Sequence, residues 1–208
     1  IRAMYGLIFS AHFGIGADSV VMHSGSLVFN GAFVTLMPSW LQGCTYLLDD
    51  HFSADGFIET VRRESVTHVM MVPSQIAAVL DSPKFCAESL ASLKMLCSVG
   101  APLPNDHKQR LMAAIPNALY ELYGLTEGFF TILDNADVAA HLDTVGKPVP
   151  FSELRIVDRE GCDLPVGDIG EILGRGPALT PGYYRQPELT ARTIIDGWLH
   201  TGDLGFVD

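Results

Sequence analysis

Two short polar turns carry most of the chemistry that this sequence could perform. The first turn, Tyr123–Gly128 with the sequence YGLTEG, holds an aromatic ring, a hydroxyl group, a carboxylate and two glycines. The second turn, His200–Asp203 with the sequence HTGD, places a carboxylate directly after a Thr-Gly step. An aromatic ring can stack on a purine, a carboxylate can bind Mg²⁺ that bridges phosphates, and one carboxylate can accept hydrogen bonds from both hydroxyls of a ribose. Each turn alone is also typical of an ordinary loop, but the two together indicate a nucleotide site.

A third turn, Ser98–Pro102 with the sequence SVGAP, follows a predicted strand. Its small residues would let a ligand approach the backbone closely. Ligands of open α/β sheets bind beyond the carboxyl ends of the strands, where this turn and Tyr123–Gly128 are both expected. Taken alone, the third turn is more typical of a simple strand-to-helix connection.

The elements that must position these turns alternate between strands and helices over the first part of the chain. Strands are predicted at Val20–Met22, Thr45–Leu48, His68–Val72, Met95–Val99 and Ala118–Tyr123. Helices are predicted at Ser53–Arg63, Gln75–Leu80 and Asp106–Ala114, with Ser53 as an N-cap. This alternation favours a mostly parallel sheet that is flanked by helices.

After residue 128, turn signals recur at short intervals and separate apolar or alternating segments such as Glu153–Val157 and Gly170–Leu173. This sequence pattern is typical of a small antiparallel sheet or barrel. The predicted fold class is therefore α/β, with an α/β subdomain over residues 1–128 and a smaller β-rich subdomain over residues 129–208.

Composition narrows the function further. The chain has 208 residues, of which 48% are hydrophobic and 18% charged, so a sizeable core is expected. A formal net charge of −11 with 13 Lys and Arg argues against a nucleic-acid partner, which needs a basic face. No apolar run is long enough to span a bilayer, and the four cysteines lack C-x-x-C spacing, so reduced thiols and a cytoplasmic location are expected.

The motifs together resemble those of the adenylate-forming superfamily, which includes acyl-CoA synthetases, aryl-CoA ligases, firefly luciferase and peptide-synthetase adenylation domains. Ser98–Leu103 is similar to its G-G-A-P-L turn, Tyr123–Glu127 matches Y-G-x-T-E, and Gly197–Asp203 matches G-W-x-x-T-G-D. Shorter matches occur at VGKP (145–148), GEI (170–172) and PGYY (181–184). The resemblance covers essentially the whole chain.

The resemblance implies an AMP-forming acid–thiol ligase. In the family reaction, a carboxylate attacks the α-phosphate of ATP to give an acyl-adenylate and pyrophosphate, and a thiol such as coenzyme A then takes the acyl group. The implied cofactors are ATP, Mg²⁺ and coenzyme A, and the implied partner is a small-molecule carboxylic acid.

The resemblance also implies roles for individual residues. Thr126 would contact the α-phosphate and Glu127 would hold Mg²⁺, so these two are the expected catalytic residues. Tyr123 would stack on adenine, and Asp203 would hold the ribose hydroxyls in the same cleft. The other expected nucleotide-binding positions are Gly100, Ala101, Pro102, Glu121, Leu122, Gly124 and Leu125. The acyl substrate is expected to contact Phe29, Asn30, Val99, Gly100 and Gly124.

Two departures from the family pattern matter. The family's early phosphate loop with its lysine is missing from the sequence, and so is everything after the ribose motif. We therefore expect an internal piece of the large N-terminal domain, which works with further N- and C-terminal segments of the same enzyme and is inactive by itself.

The second departure concerns the acyl site, where the family often has P-L-F-H and this chain has Ser26-Leu27-Val28-Phe29-Asn30, with Phe29 at the aromatic or His position. Because Asn30 carries no charge to pair with an ammonium group, an α-amino acid is a poor substrate candidate. A medium- or long-chain fatty acid is the expected substrate. An aryl-CoA ligase, or a non-catalytic nucleotide-binding scaffold, are the alternatives.

Overall fold

The computed structural model describes residues 2–208, without the side chain of Arg2. The chain forms two compact units. The first unit comprises residues 2–123 and 131–147, and the second comprises residues 124–130 and 148–208. The units thus interleave along the chain, and the subdomain boundary expected after residue 128 stays a prediction.

Within residues 2–208, seven strands form one sheet with the order β2-β1-β3-β4-β5-β6-β7. These strands are β1 (Val20–Ser24), β2 (Thr45–Asp49), β3 (His68–Met71), β4 (Met95–Val99), β5 (Leu119–Gly124), β6 (Phe130–Leu133) and β7 (Lys147–Pro148). The pairs β1/β2, β1/β3, β3/β4 and β4/β5 are parallel, so these strands end at one edge of the sheet. The predicted mostly parallel sheet is confirmed.

The helices of this unit are α1 (Arg2–Phe13), α2 (Asn30–Gln42), α3 (Ala54–Glu64), α4 (Pro73–Leu80) and α5 (Asn105–Ala114), with a 3₁₀ turn at Ala87–Leu90. Local sequence explains where α3 begins, because the Ser53 hydroxyl accepts a hydrogen bond from the Gly56 N–H at 3.2 Å. Phe57, Ile58 and Val61 lie on one face of α3 and are fully buried in the core against the sheet.

The second unit contains a four-stranded antiparallel sheet with the order β10-β11-β9-β8. Its elements are β8 (Glu153–Val157), β9 (Gly170–Arg175), α6 (Pro187–Thr193), β10 (Ile194–Ile195) and β11 (Trp198–Gly205). Gly174 of β9 has no room for a side chain, because a Cβ there would overlap the buried ring of Phe129. The predicted antiparallel sheet is confirmed.

None of the helices within residues 2–208 combines the length and apolar character that crossing a membrane requires.

A buried histidine links helix α1 to the sheet and predicts a pH dependence. His68 is 1% exposed, its Nε2 lies 3.0 Å from the Phe13 carbonyl oxygen, and its Nδ1 lies 2.7 Å from the Thr67 hydroxyl. Burial lowers the pKa of His68 below its ordinary value of 6.5, although the hydrogen bond to Phe13 opposes this shift.

We therefore expect the free energy of unfolding to decrease as the pH falls below about 6.5. At these pH values His68 binds a proton in the unfolded chain but stays neutral in the folded protein. The contribution approaches about 1.4 kcal/mol per pH unit until the lowered pKa is reached. Urea unfolding from pH 7.5 to 5 would measure it. His68→Gln should flatten the profile, whereas His51→Gln, at an exposed position, should leave it unchanged; equal profiles for the wild type and His68→Gln would contradict the assignment.

Candidate functional site

The turn after β4 is built for close approach to its backbone. Gly100 has a φ of +92°, a conformation that favours glycine. Ala101 and Pro102 are exposed, whereas Leu103 is buried at 3% exposure and anchors the end of the turn. The Leu103 N–H donates a hydrogen bond of 2.8 Å to Oε1 of Glu121 on β5. The exposed part of the turn is therefore fixed at its far end by the neighbouring strand.

Strand β5 carries the next predicted positions. Glu121 and Leu122 are buried, at 2% and 3% exposure, whereas Tyr123 is half-buried and Gly124 is exposed. The Glu121 carboxylate is engaged inside the protein, so any direct contact of this residue with a nucleotide would come from its main chain. A Cβ at Gly124 would overlap the ring of Phe130 and lie 2.9 Å from the Phe129 carbonyl oxygen, so packing requires glycine there.

The Leu125–Gly128 turn belongs to the second unit and is closed by its own backbone. The Leu125 N–H donates to the Phe129 carbonyl at 3.1 Å, and the Gly128 N–H donates to the Leu125 carbonyl at 3.0 Å. Glu127 is held from the main chain as well, because its carbonyl accepts a hydrogen bond of 2.6 Å from the Thr180 N–H. This turn is a constrained platform for the polar side chains on it.

Both carboxylate oxygens of Glu127 accept hydrogen bonds. The Tyr183 hydroxyl donates to Oε1 at 2.6 Å, and the Thr126 hydroxyl donates to Oε2 at 3.1 Å. The hydrogen bond to Glu127 raises the pKa of Tyr183. Because the Thr126 hydroxyl hydrogen points to Glu127, that hydroxyl must rotate before it can donate to a phosphate.

The donor set around Glu127 fits Mg²⁺ in one particular way. Each carboxylate oxygen has acceptor capacity beyond the single hydrogen bond that it receives. Among residues 2–208, no three His, Cys, Asp or Glu side chains are grouped as metal ligands. A half-buried single carboxylate suits a Mg²⁺ ion that is bound mainly by phosphates and water, rather than by a complete protein cage.

The turn that carries Asp203 interrupts strand β11. The register with β9 shifts between His200 and Leu204, and Gly202 has a φ of +75°. Asp203 itself is exposed on this bulge, and its N–H donates to the Thr201 hydroxyl at 3.1 Å. The bulge thus turns the Asp203 side chain out of the regular ladder of the strand.

Glu171 of β9 holds this bulge through both carboxylate oxygens. Oε1 accepts a hydrogen bond of 3.1 Å from the Gly202 N–H, and Oε2 lies 3.0 Å from Nδ1 of His200. The Thr201 hydroxyl adds a third tie, because it donates to the Ile172 carbonyl at 2.7 Å. Four side-chain and backbone bonds therefore define where Asp203 lies on the second unit.

The start of the same motif is held by two cations. The Arg155 and Arg175 guanidinium carbons lie 5.2 Å and 4.4 Å from the centroid of the Trp198 ring. Arg175 also makes two hydrogen bonds to the Glu153 carboxylate, at 3.1 and 2.6 Å. This stack orders the first residue of β11.

Four of the five predicted acyl-site residues lie in the first unit, and the fifth, Gly124, lies in the second. Val99 ends β4 and Gly100 follows it, whereas Phe29 and Asn30 begin α2 after β1. Both strands flank β3 in the parallel sheet, so the loops leave the same edge. Phe29 is 70% exposed and Val99 half-buried, which makes apolar surface available at this edge.

The profile of the family described as AMP-binding enzyme matches residues 1–184 of the sequence. The chain belongs to the AMP-binding enzyme family. This family assignment confirms the predicted membership in the adenylate-forming superfamily.

Curated relatives of this AMP-binding enzyme chain include CoA ligases and synthases. A feruloyl-CoA synthase of Amycolatopsis sp is 35% identical over 174 residues, covering 83% of this chain and 35% of that protein. The 4-coumarate–CoA ligase 3 of Oryza sativa subsp. japonica is 37% identical over 174 residues, covering 80% and 31%. The chain thus spans about a third of the length of these relatives.

Two solved structures are similar to this chain over its whole length. The amide bond synthetase McbA from Marinactinospora thermotolerans matches with a TM-score of 0.90 at 30% identity, covering 100% of this chain and 42% of that one. MatB from Rhodopseudomonas palustris, solved with ATP bound, matches with a TM-score of 0.89 at 28% identity, covering 100% and 41%.

Sequence reasoning missed Tyr183 and Glu171 as site residues in this member of the AMP-binding enzyme family. Both lie in the short family matches PGYY and GEI, for which the sequence alone predicts no site residue. The structure places the Tyr183 hydroxyl on Glu127 and the Glu171 carboxylate on Gly202. Polar side chains in otherwise small or apolar family motifs were the available signal.

For Tyr183 we expect a magnesium-dependent effect. Tyr183→Phe removes the hydrogen bond that orients Glu127 and should weaken binding of Mg²⁺-ATP about three- to tenfold. Binding of AMP without Mg²⁺ should change little. Calorimetric titration measures both, and Tyr184→Phe is the matched control because Tyr184 is 83% exposed. The assignment would be contradicted if both variants lost the same affinity for Mg²⁺-ATP, or if Tyr183→Phe weakened binding equally with and without Mg²⁺.

Proposed function

We propose that this chain forms the nucleotide-binding part of an AMP-forming acid–thiol ligase, which activates a carboxylic acid with ATP and passes the acyl group to coenzyme A. The observation that carries the proposal is the constrained Glu127 carboxylate, which accepts hydrogen bonds from Tyr183 and Thr126 inside the YGLTE motif. A non-catalytic scaffold has no need to orient this carboxylate from two sides.

The proposed roles follow from the chemistry of each group. Tyr123 supplies a stacking face for adenine, and Asp203 accepts hydrogen bonds from the ribose hydroxyls. Thr126 donates to the α-phosphate once its hydroxyl has turned from Glu127. The exposed backbone of Gly100–Pro102 allows close approach of the adenosine or the acyl group.

Charge is the main obstacle to the first step, since a carboxylate must meet a polyphosphate on a chain of net charge −11. Glu127 would hold Mg²⁺, which neutralises phosphate charge when it is bound. The chain's own contribution is positioning, because the backbone turns fix the groups that receive the two reactants.

An aromatic carboxylic acid is the proposed acyl substrate. The support is that the related proteins are named for feruloyl, 4-coumarate and, in a ligase of Aromatoleum aromaticum at 30% identity over 176 residues, indoleacetate. Phe29 and Val99 are apolar and lie at the same edge of the sheet, so they suit contact with the flat ring of an aromatic acid. Asn30 offers no charge to an α-ammonium group.

A medium- or long-chain fatty acid, the first expectation from the sequence, is the second candidate. It rests on the same apolar residues, Phe29 and Val99, together with Val28, which is 80% exposed beside Phe29. A cytoplasmic location likewise stays a prediction.

Acyl-adenylate mimics with a sulfamoyl group in place of the phosphate test the proposal without requiring turnover. We expect Mg²⁺-ATP and AMP to bind the chain and GTP to bind much more weakly. Feruloyl and benzoyl mimics should bind more tightly than octanoyl and palmitoyl mimics in calorimetric titrations. The reverse order would favour a fatty-acid ligase, and failure of every adenosine ligand to bind would reject the proposed function.

A further inference from the structure

An oppositely charged pair lies in the interior of the first unit. Lys108 Nζ is 2.5 Å from Oε2 of Glu121, and the two side chains are 4% and 3% exposed. Lysine and glutamate are almost never buried to this extent unless they are paired. Lys108 lies on the face of α5 that also carries buried Leu111, three residues further on, and Glu121 lies on β5.

Each member of the pair also makes a hydrogen bond to a backbone group of another segment. Lys108 Nζ donates to the Leu142 carbonyl at 2.5 Å, and Glu121 Oε1 accepts from the Leu103 N–H at 2.8 Å. Asn105 reinforces the first of these ties, because its Nδ2 donates to Asp143 at 2.6 Å. The pair therefore joins α5, β5, the 142–143 segment and the end of the turn after β4.

The pair is also close in sequence to two predicted nucleotide-binding segments. Leu103 directly follows the exposed backbone of Gly100–Pro102, and Glu121 precedes Tyr123 by two residues on β5. Leu103 also lies two residues before Asn105, the first residue of α5. One carboxylate thus fixes the Leu103 N–H to β5, the strand that carries Tyr123.

We propose that Lys108 and Glu121 are positioning residues for nucleotide binding, which set the Gly100–Pro102 turn relative to the end of β5. The inference rests on the proposed function and deepens it. Glu121 acts through the Leu103 N–H, and Lys108 holds the Glu121 carboxylate in the orientation that accepts from that N–H. The side chain of neither residue touches the ligand.

Stability alone does not account for the pair. Replacing a buried ion pair with apolar residues of similar volume is often neutral or stabilising, whereas removing one partner leaves an unpaired buried charge and is strongly destabilising. Single variants are therefore uninformative about positioning, and the test needs double variants in which no charge remains.

Two double variants separate charge from hydrogen bonding. Lys108→Met with Glu121→Gln keeps an acceptor for the Leu103 N–H, whereas Lys108→Met with Glu121→Leu removes it. We expect both to fold, and we expect the Leu-containing variant to bind Mg²⁺-ATP at least about tenfold more weakly, with the Gln-containing variant recovering most of that loss. Lys84→Met with Glu59→Leu, a pair that is 45% and 60% exposed, is the control and should bind normally.

Amide hydrogen exchange without nucleotide gives a second readout. Exchange at Gly100, Ala101 and Leu103 should accelerate in the Leu-containing variant and not in the surface control, while core amides of β3 stay protected. Normal affinity and normal exchange in the Leu-containing variant would overturn the positioning role. Altered exchange in a chain whose wild type binds no adenosine ligand would reject the proposed function and retain the structural half of the inference.

Discussion

Gly146→Ala is expected to destabilise the first unit by more than about 3 kcal/mol, a large fraction of the stability of an ordinary domain. A Cβ at this position would overlap the carbonyl group of Ile132 on β6 and the N–H of Leu133. These are backbone atoms within the sheet, so they cannot move away as the end of a flexible side chain could. The φ of +73° adds conformational strain for any residue with a side chain.

Gly14→Ala is the matched control for this prediction. Gly14 lies in the same unit with a φ of +67°, and a Cβ there would meet no atom within 4 Å. It should therefore lose only the conformational part, about 1–2 kcal/mol. Urea unfolding followed by circular dichroism compares the two variants. Equal losses would mean that the close approach of Gly146 to β6 does not matter for folding.

The second large effect concerns the ribose motif. Asp203→Ala should weaken ATP and AMP binding about ten- to hundredfold, because a carboxylate that accepts two ribose hydroxyls contributes about 1.5–3 kcal/mol for each charged hydrogen bond, offset by solvation in the free protein. The fold should survive, since Asp203 is exposed on the bulge of β11. Calorimetric titration would measure the loss of affinity, and an unchanged circular dichroism spectrum would show that the fold is retained.

A nucleotide lacking one hydroxyl sharpens the Asp203 test. The wild type should prefer ATP to 2′-deoxy-ATP, and Asp203→Ala should lose that preference because the acceptor is gone. Asp168→Ala, an exposed acid in the same unit, should leave both affinities unchanged. Retention of the preference in Asp203→Ala would assign the ribose to another residue.

Local sequence was enough for most of the secondary structure and for the family. Strands β1 to β5 and helices α3 to α5 lie within a few residues of their predicted positions, because hydrophobic period, N-caps such as Ser53 and proline at helix starts act over a few residues. The three motif turns are continuous in sequence, so the sequence itself shows their resemblance to the adenylate-forming superfamily.

The groups that hold those turns were not visible in this way. Tyr183 reaches Glu127 across 56 positions, Glu171 reaches Gly202 across 31, and Lys108 reaches Leu142 across 34. No local pattern encodes such partners, since each pair meets only after strands and helices have packed. The burial of Lys108 could not be predicted from local sequence either. It lies in the polar sequence Asn105–Arg110, which is typical of an exposed helix surface, and it is buried only because α5 packs against the rest of the unit.

The amino-acid sequence alone therefore determined the alternation of elements, the family and the identity of the polar turns, because each depends on neighbours in the chain. Tertiary structure alone decided which side chains orient Glu127, which carboxylate holds the bulge at Asp203, and which buried pair ties Leu103 to β5. Those choices depend on distances between remote segments, which packing of the core sets.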